Sequence, residues 1–191
     1  SPAELLENTM KSFAALDVPT AEFLKKLHES ATSVFVPEAE FEALNLANPF
    51  YAAQVQLYFG KTLAQRSMYD ESLAVLENVV ATDAIDPASY FFYKGVCEQQ
   101  LYLREAGIKT LTDLLQNTEG VPPRFSAVAS LMKYELEQTK DKSLRHVSVK
   151  MADSKRRLNL ARGGQRVQKV QGEIVALLDE IIEKMEQQMG G

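Results

Sequence analysis

A single cysteine, Cys97, occurs among the 191 residues of this chain. One thiol excludes an intramolecular disulfide and any metal site built from several cysteines. It leaves the compartment open, because an exported protein can lack disulfides. Histidine is almost as scarce, with only His28 and His146. A metalloenzyme or a His-activated nucleophile needs an imidazole beside other ligands or beside the nucleophile. His28 stands in Leu27-His28-Glu29 with no His or Cys three or four residues on, and His146 stands in a basic stretch that repels cations. Both read as ordinary surface or boundary residues. Phosphate loops, dinucleotide-binding turns and nucleophile elbows are missing from the sequence. Gly163-Gly164 reads as a helix stop, since no strand precedes it. The expectation is a protein that is not an enzyme and holds no cofactor or metal.

Long apolar runs are missing as well. None approaches the roughly 18 residues a membrane-spanning helix needs, so no transmembrane segment is expected. Seven prolines and nine glycines are few, and they fall mostly at segment ends. No segment sustains the alternation of a strand. These features together predict an all-α protein with short connections. The chain opens on Ser1-Pro2 without an initiator Met and closes on a polar stretch, Glu186 to Gly191. It reads as a fragment, either trimmed or freed of a signal, with cytoplasmic and exported or periplasmic locations both open.

What is present begins with charge. The net charge is −5, yet residues 140–170 hold ten Lys and Arg against Asp141 and Asp153. That segment carries +8 and leaves −13 for the remainder. A basic stretch on an acidic body is a candidate polyanion patch, through Lys155, Arg156, Arg157, Arg162, Arg166 and Lys169. It lacks interleaved aromatics for stacking on bases. If Gly163-Gly164 turns the chain back, its cations pair instead with acids of the following helix. Electrostatic binding of nucleic acid or an anionic surface through residues 140–170 is therefore the alternative, with nucleic acid disfavoured.

Helical periodicity runs along the chain. Ser1-Pro2-Ala3-Glu4 has the form of a capping box ahead of Leu5, Leu6, Met10, Phe13 and Leu16. Phe23, Leu24, Leu27 and Val34 mark a second helix, and residues 38–47 a short third. Asn48-Pro49 and Asp86-Pro87 are cap-and-start signals. A helix to about Arg66 and one carrying Tyr90, Phe91, Gly95 and Cys97 follow them. Their partners carry Leu73, Leu76, Val79 and Val80, and Ile108, Leu111, Leu114 and Leu115. Val121-Pro122-Pro123 opens a further helix with Phe125, Val128, Leu131, Met132 and Leu136, whose partner is the basic segment at about 143–161. The last helix, about 165–188, bears a broad stripe from Val167 to Met189, suited to covering a core or pairing with a second copy.

The most informative pattern is a repeat of 35 residues. Gly60 recurs as Gly95, Ser72 as Gly107, Leu73 as Ile108, Leu76 as Leu111, Val79 as Leu114, Val80 as Leu115 and Pro87 as Pro122. A period in the thirties with small and large apolar residues at matched offsets signals stacked helix hairpins. These units resemble tetratricopeptide repeats. Gly60 and Gly95 match the small residue of the first helix, Ser72 and Gly107 that of the second, and Leu76 and Leu111 the large residue four positions later. Tyr69 matches the aromatic at the turn, and Phe91 the aromatic four residues before the glycine. Departures are Gln56 and Glu98 at usually aromatic or apolar positions, and the absence of Trp. The C-terminal part is similar to uncharacterised bacterial repeat proteins, which supplies no activity.

The resemblance implies a right-handed α-solenoid. It would have a helical cap at 1–47, hairpins at 48–86, 87–121 and 122–162, and an amphipathic helix with the start of a polar linker at 163–191. It implies non-catalytic protein or peptide binding in a concave groove, as scaffold or assembly module. The groove residues expected are Tyr51, Gln54, Tyr58, Lys61, Lys94 and Glu98, with Tyr93 a further aromatic anchor.

Overall fold

The computed structural model describes residues 2–30, 36–138, 143–160 and 165–189. Every regular element among them is a helix: α1 (Pro2–Leu16), α2 (Val18–Glu29), α3 (Glu38–Glu42), α4 (Pro49–Gln65), α5 (Tyr69–Leu76), α6 (Pro87–Gln100), α7 (Arg104–Asn117), α8 (Pro123–Gln138), α9 (Leu144–Asn159) and α10 (Gln165–Met189). Short polar side chains start several of them. The Asn48 carboxamide accepts from the Tyr51 amide at 3.0 Å, and the Asp86 carboxylate from the Ser89 amide at 3.0 Å. Each supplies an acceptor to an amide that has none within its helix. Ser1, Val34, Gly163 and Gly164 lie outside the described residues.

The 35-residue spacing returns as a repeated contact. A β-carbon added to Gly60 would lie 2.5 Å from Leu76 Cγ, and one added to Gly95 would lie 2.6 Å from Leu111 Cδ2. Leu76 and Leu111 are both fully buried. The glycines thus let α5 lie close on α4 and α7 close on α6, with a leucine filling the space beside each crossing. Ser72 donates its hydroxyl to the Gly60 carbonyl at 2.7 Å and accepts from the Cys97 thiol at 3.1 Å. It therefore sits where α4, α5 and α6 meet. Gly107 holds the same place among α6, α7 and α8, close to Glu98 Cβ and Leu136 Cδ1.

The turns between paired helices repeat too. Ser67 and Tyr102, also 35 apart, are left-handed with φ of 59° and 57°. The Met68 amide donates to Leu63 O at 3.0 Å, and the Leu103 amide to Glu98 O at 2.7 Å. This closure satisfies carbonyls of the preceding helix's last turn.

Helices α4, α6 and α8 also pack on one another, so within α4 to α8 each helix packs on those one and two places along. Helices α1 and α2 cover the far side of α4. Phe23 and Phe59 meet edge to face with centroids 5.2 Å apart, and Leu6, Met10, Leu27, Leu57 and Leu63 close the core around them. Each fully buried side chain of this size contributes about 2 kcal/mol of hydrophobic stabilisation.

Two expectations change. The short α5 ends at Leu76, so Val79 is buried beyond the helix and Val80 is 56% exposed. The chain leaves the helix there to reach α4, where Gln54 holds the backbone of Asp83 and Ile85. The expected third hairpin is also different: α9 packs along α10, not along α8. Lys150 and Glu173 join the two at 2.7 Å, as the charge pattern anticipated for a reversed chain. The hairpin of α9 and α10 then docks on the turn between α4 and α5. Val128 and Leu131, two of the apolar residues expected along α8, are 44% and 61% exposed.

Candidate functional site

One face of the molecule is grooved where α4, α6 and α8 lie side by side. A recess of about 340 Å³ lies between α1, α2 and α4, lined by Glu7, His28, Tyr58, Lys61, Gln65 and Arg66, among others. A second, of about 280 Å³, continues across the next helices, lined by Lys61, Gln65, Phe92, Tyr93, Arg124 and Val128 among others. Lys61 and Gln65 line both, so the two form one trough. Its middle is fixed by a hydrogen bond from Gln65 Nε2 to the Tyr93 hydroxyl at 2.9 Å. Its far end rests on Phe92 and Phe125, stacked at 4.0 Å with 4° between planes. The Arg124 guanidinium lies 5.1 Å over the Phe125 ring.

The near end is a polar network. Tyr58 is buried, with its hydroxyl 3.3 Å from Glu7 Oε2 and 3.4 Å from His28 Nε2. Burial, and then the Glu7 charge, push its phenol up to about 12. The hydroxyl therefore stays protonated and serves as a donor. Lys61 Nζ stands 3.8 Å from Glu7. Arg66 is turned away, its guanidinium donating to Ser30 Oγ and to the Leu27 carbonyl at the end of α2.

The residues expected in a groove are not brought together. Tyr58 and Lys61 line the trough. Tyr51 faces α1 and α2, with its hydroxyl 2.6 Å from Thr20 Oγ1 and its ring 5.0 Å from that of Phe13. Gln54 must be corrected to a core residue. It is fully buried, its amide donates to the Phe50 and Asp83 carbonyls, and its oxygen accepts from the Ile85 amide. Every polar atom of that side chain is committed to fixing the loop after α5. Lys94 leans on Tyr90, its Nζ 3.4 Å from the hydroxyl.

Glu98 is likewise corrected, since it is 3% exposed and Oε2 has no hydrogen-bond partner. It holds the repeat position that Leu63 fills in the preceding unit. Burial raises its carboxyl above the ordinary value, against a lowering hydrogen bond with Thr110. The folded state therefore holds the proton more tightly than the unfolded chain does. Stability falls as pH rises from the ordinary glutamate range through the raised value. Glu98→Gln is expected to flatten that part of the pH profile in denaturant titrations, and Glu98→Leu to add about 1 to 3 kcal/mol at neutral pH.

Among the trough side chains outside the expected set are Gln65, Phe92, Arg124 and Val128. A signal was present: Tyr58, Tyr93 and Val128 stand 35 residues apart, and all line the trough.

Two residues of the expected polyanion patch, Arg156 and Arg157, are turned inward. Arg157 reaches Asp70 at 2.8 Å and Asp153 at 2.7 Å. Arg156 pairs with Asp153, reaches Asp70 at 3.4 Å, and donates to the Ser67 carbonyl at 2.6 Å. All four ionic side chains are at most 14% exposed. Lys155 is exposed, and Lys169 is exposed beside Lys150 and Glu173. Arg162 and the side chain of Arg166 lie outside what the structure describes. The cations at the heart of the segment thus seat the hairpin.

Cys97 is inert by environment. It is fully buried, and burial pushes its thiol up to about 11. Among the described residues no group of three or more His, Cys, Asp and Glu could hold a metal ion, and no helix is long and apolar enough to cross a membrane.

Fold and groove together define an all-helical protein whose packed helix pairs leave a trough open along one side. Comparison with known protein families, with curated proteins and with solved structures found no match to the chain.

Proposed function

We propose that this protein is a non-catalytic binding module that grips a peptide or protein segment in the trough across α4, α6 and α8, as a scaffold or assembly factor. The observation that carries this reading is the continuity of the trough. Its two recesses share Lys61 and Gln65, and successive helices present Tyr58, Tyr93 and Val128 to it. An extended segment suits such a surface, with apolar side chains against Phe92 and Val128 and acidic ones near Lys61 and Arg124. We read α4 to α8 as part of a right-handed solenoid of tetratricopeptide type. The twice-repeated glycine–leucine contact and the two left-handed turns support that reading.

A displayed peptide library panned on the protein is expected to enrich a family of related sequences. Arg124→Glu and Val128→Glu alter exposed positions, and each is expected to weaken the enriched peptides at least about tenfold, or about 1.4 kcal/mol. Enriched peptides that bind both variants as well as the parent, or no enrichment at all, would overturn the proposal.

A further inference from the structure

Helix α6 turns Ala88, Phe92, Gly95, Val96 and Gln99 towards α7 and α8. Ala88 and Val96 belong to the apolar cluster around Leu111, Phe92 stacks on Phe125, Gly95 meets Leu111, and Gln99 donates to Glu135. Thirty-five residues on from these positions stand Pro123, Ala127, Ser130, Leu131 and Tyr134 of α8. All five are exposed, Leu131 at 61% and Tyr134 at 60%. One unit earlier, Ala53, Leu57, Gly60 and Ala64 hold the matching places in α4, and all four are buried.

The open face of α8 therefore continues an interface that the chain already uses twice. It carries Ser130 in the place of Gly60 and Gly95, with Ala127 beside it. Helix α5 covers that place on α4, and α7 covers it on α6, whereas α9 packs along α10. The junction of α8 with α9 lies elsewhere. Arg104 grips the Leu136 and Glu137 carbonyls and His146 stacks on Tyr102, so the described residues on either side of 139–142 are held at the turn between α6 and α7. Leu131 is about two helical turns away from that end of α8.

We propose that this face of α8 pairs with α8 of a second copy of this chain, antiparallel. Ala127, Leu131 and Tyr134 follow steps of four and three residues, the spacing of a seam that faces another helix. With a two-fold axis beside Leu131, the two Leu131 side chains meet between the two Ser130 residues, and each Tyr134 lies against the second copy's Ala127. Large against small is the fit that joins Leu76 to Gly60 inside the chain. A parallel pair would set Tyr134 on Tyr134 and Ala127 on Ala127, crowding one layer and leaving a void in the other.

Charge favours a second copy as the occupant. A two-fold axis across antiparallel helices sets each flank of the seam beside the same flank of the other copy. Arg124 and Glu135 stand on one flank, towards the two ends of α8, so reversal brings each Arg124 within reach of the second copy's Glu135. Lys133 and Glu137, an ion pair at 3.9 Å, stand on the other flank. Reversal sets them opposite Ser126, Ser130 and Pro123, which carry no charge. Like charges are thus kept apart on both flanks. The two cations of α8 are balanced by its two acids, which disfavours a lipid surface as occupant, since amphipathic helices that lie on membranes are rich in Lys and Arg. This inference does not depend on the trough binding anything.

Sedimentation of the full chain over a range of concentrations is expected to show a monomer in equilibrium with a dimer. Leu131→Glu and Tyr134→Asp change exposed positions, and each is expected to abolish the dimer with unchanged helical circular dichroism. Orientation is read by cysteine pairing, in which buried Cys97 does not compete. Leu131→Cys is expected to link two chains on mild oxidation, because the two-fold axis passes beside that residue. Ala127→Cys is not, because the two copies of residue 127 stand about 11 Å apart along the seam, beyond the reach of a disulfide. A monomer at every concentration, a dimer that survives Leu131→Glu and Tyr134→Asp, or linkage through residue 127 would each overturn the proposal.

Discussion

Asp70→Ala is expected to release the α9–α10 hairpin from the rest of the protein. Asp70 and Asp153 together neutralise Arg156 and Arg157 in a site where none of the four side chains is more than 14% exposed. Removing Asp70 leaves two guanidinium groups against one carboxylate. Breaking a buried pair from one side costs about 3 kcal/mol or more, because the remaining charge has lost water and gained nothing in return. Other described contacts join the hairpin to the body as well. Arg156 caps the Ser67 carbonyl and lies 4.8 Å over the Tyr69 ring, His146 stacks on Tyr102 at 4.1 Å, and Leu160 touches the main core. Amide hydrogen exchange is the suitable measurement. Amides of α9 and α10 are expected to exchange faster in the variant while α4 to α8 keep their protection. Protection of α9 equal to that in the parent would show that apolar packing seats the hairpin and the charges do not.

Gly60→Ala is the second large effect. The new methyl would stand 2.5 Å from Leu76 Cγ and 2.6 Å from its Cδ2. The obstructing atom is the branch point of a fully buried leucine, so no rotation at the tip of the side chain clears it. Alanine gains about 1 kcal/mol of helix propensity over glycine. Overpacking at such a contact costs about 3 kcal/mol, which leaves a net loss of about 2 kcal/mol. Gly95→Ala meets Leu111 chiefly through Cδ2, with Cγ at 3.1 Å, so its loss is expected to be smaller. Chemical denaturation measures both. A double-mutant cycle identifies the cause: combining Gly60→Ala with Leu76→Ala is expected to destabilise less than the two changes summed. Strict additivity would mean that the glycine is needed for some other reason.

These two sites mark the boundary of what was legible in the amino-acid string. The contact of Gly60 with Leu76 was readable because it is local in kind. Small and large residues recur at fixed offsets, and helix geometry turns those offsets into a crossing. Residue types such as Asn48-Pro49 and Asp86-Pro87 announced helix starts for the same reason. The path of α9 was not readable. It is set by Arg157 meeting Asp70, 87 residues earlier, and no periodicity connects such distant partners. The groove lay between these cases. Gln54 has the look of a surface residue in sequence, and only the return of the loop after α5 shows that its amide is used up inside. Glu98 was visible as a departure from the apolar pattern, but burial with an unpartnered oxygen is a property of the packed state. Val128 was available by stepping 35 residues from Tyr93.

The seating of α9 on Asp70 also bears on the order in which the molecule assembles. Among themselves, helices α4 to α8 pack with near neighbours, so short loops close first and each pair can form as soon as its two members exist. The ion cluster joins positions almost half the chain apart and gains its strength only once α5 is in place to present Asp70. Refolding followed by pulse labelling should therefore have two clocks, an early one for the middle of the chain and a late one for its last two helices.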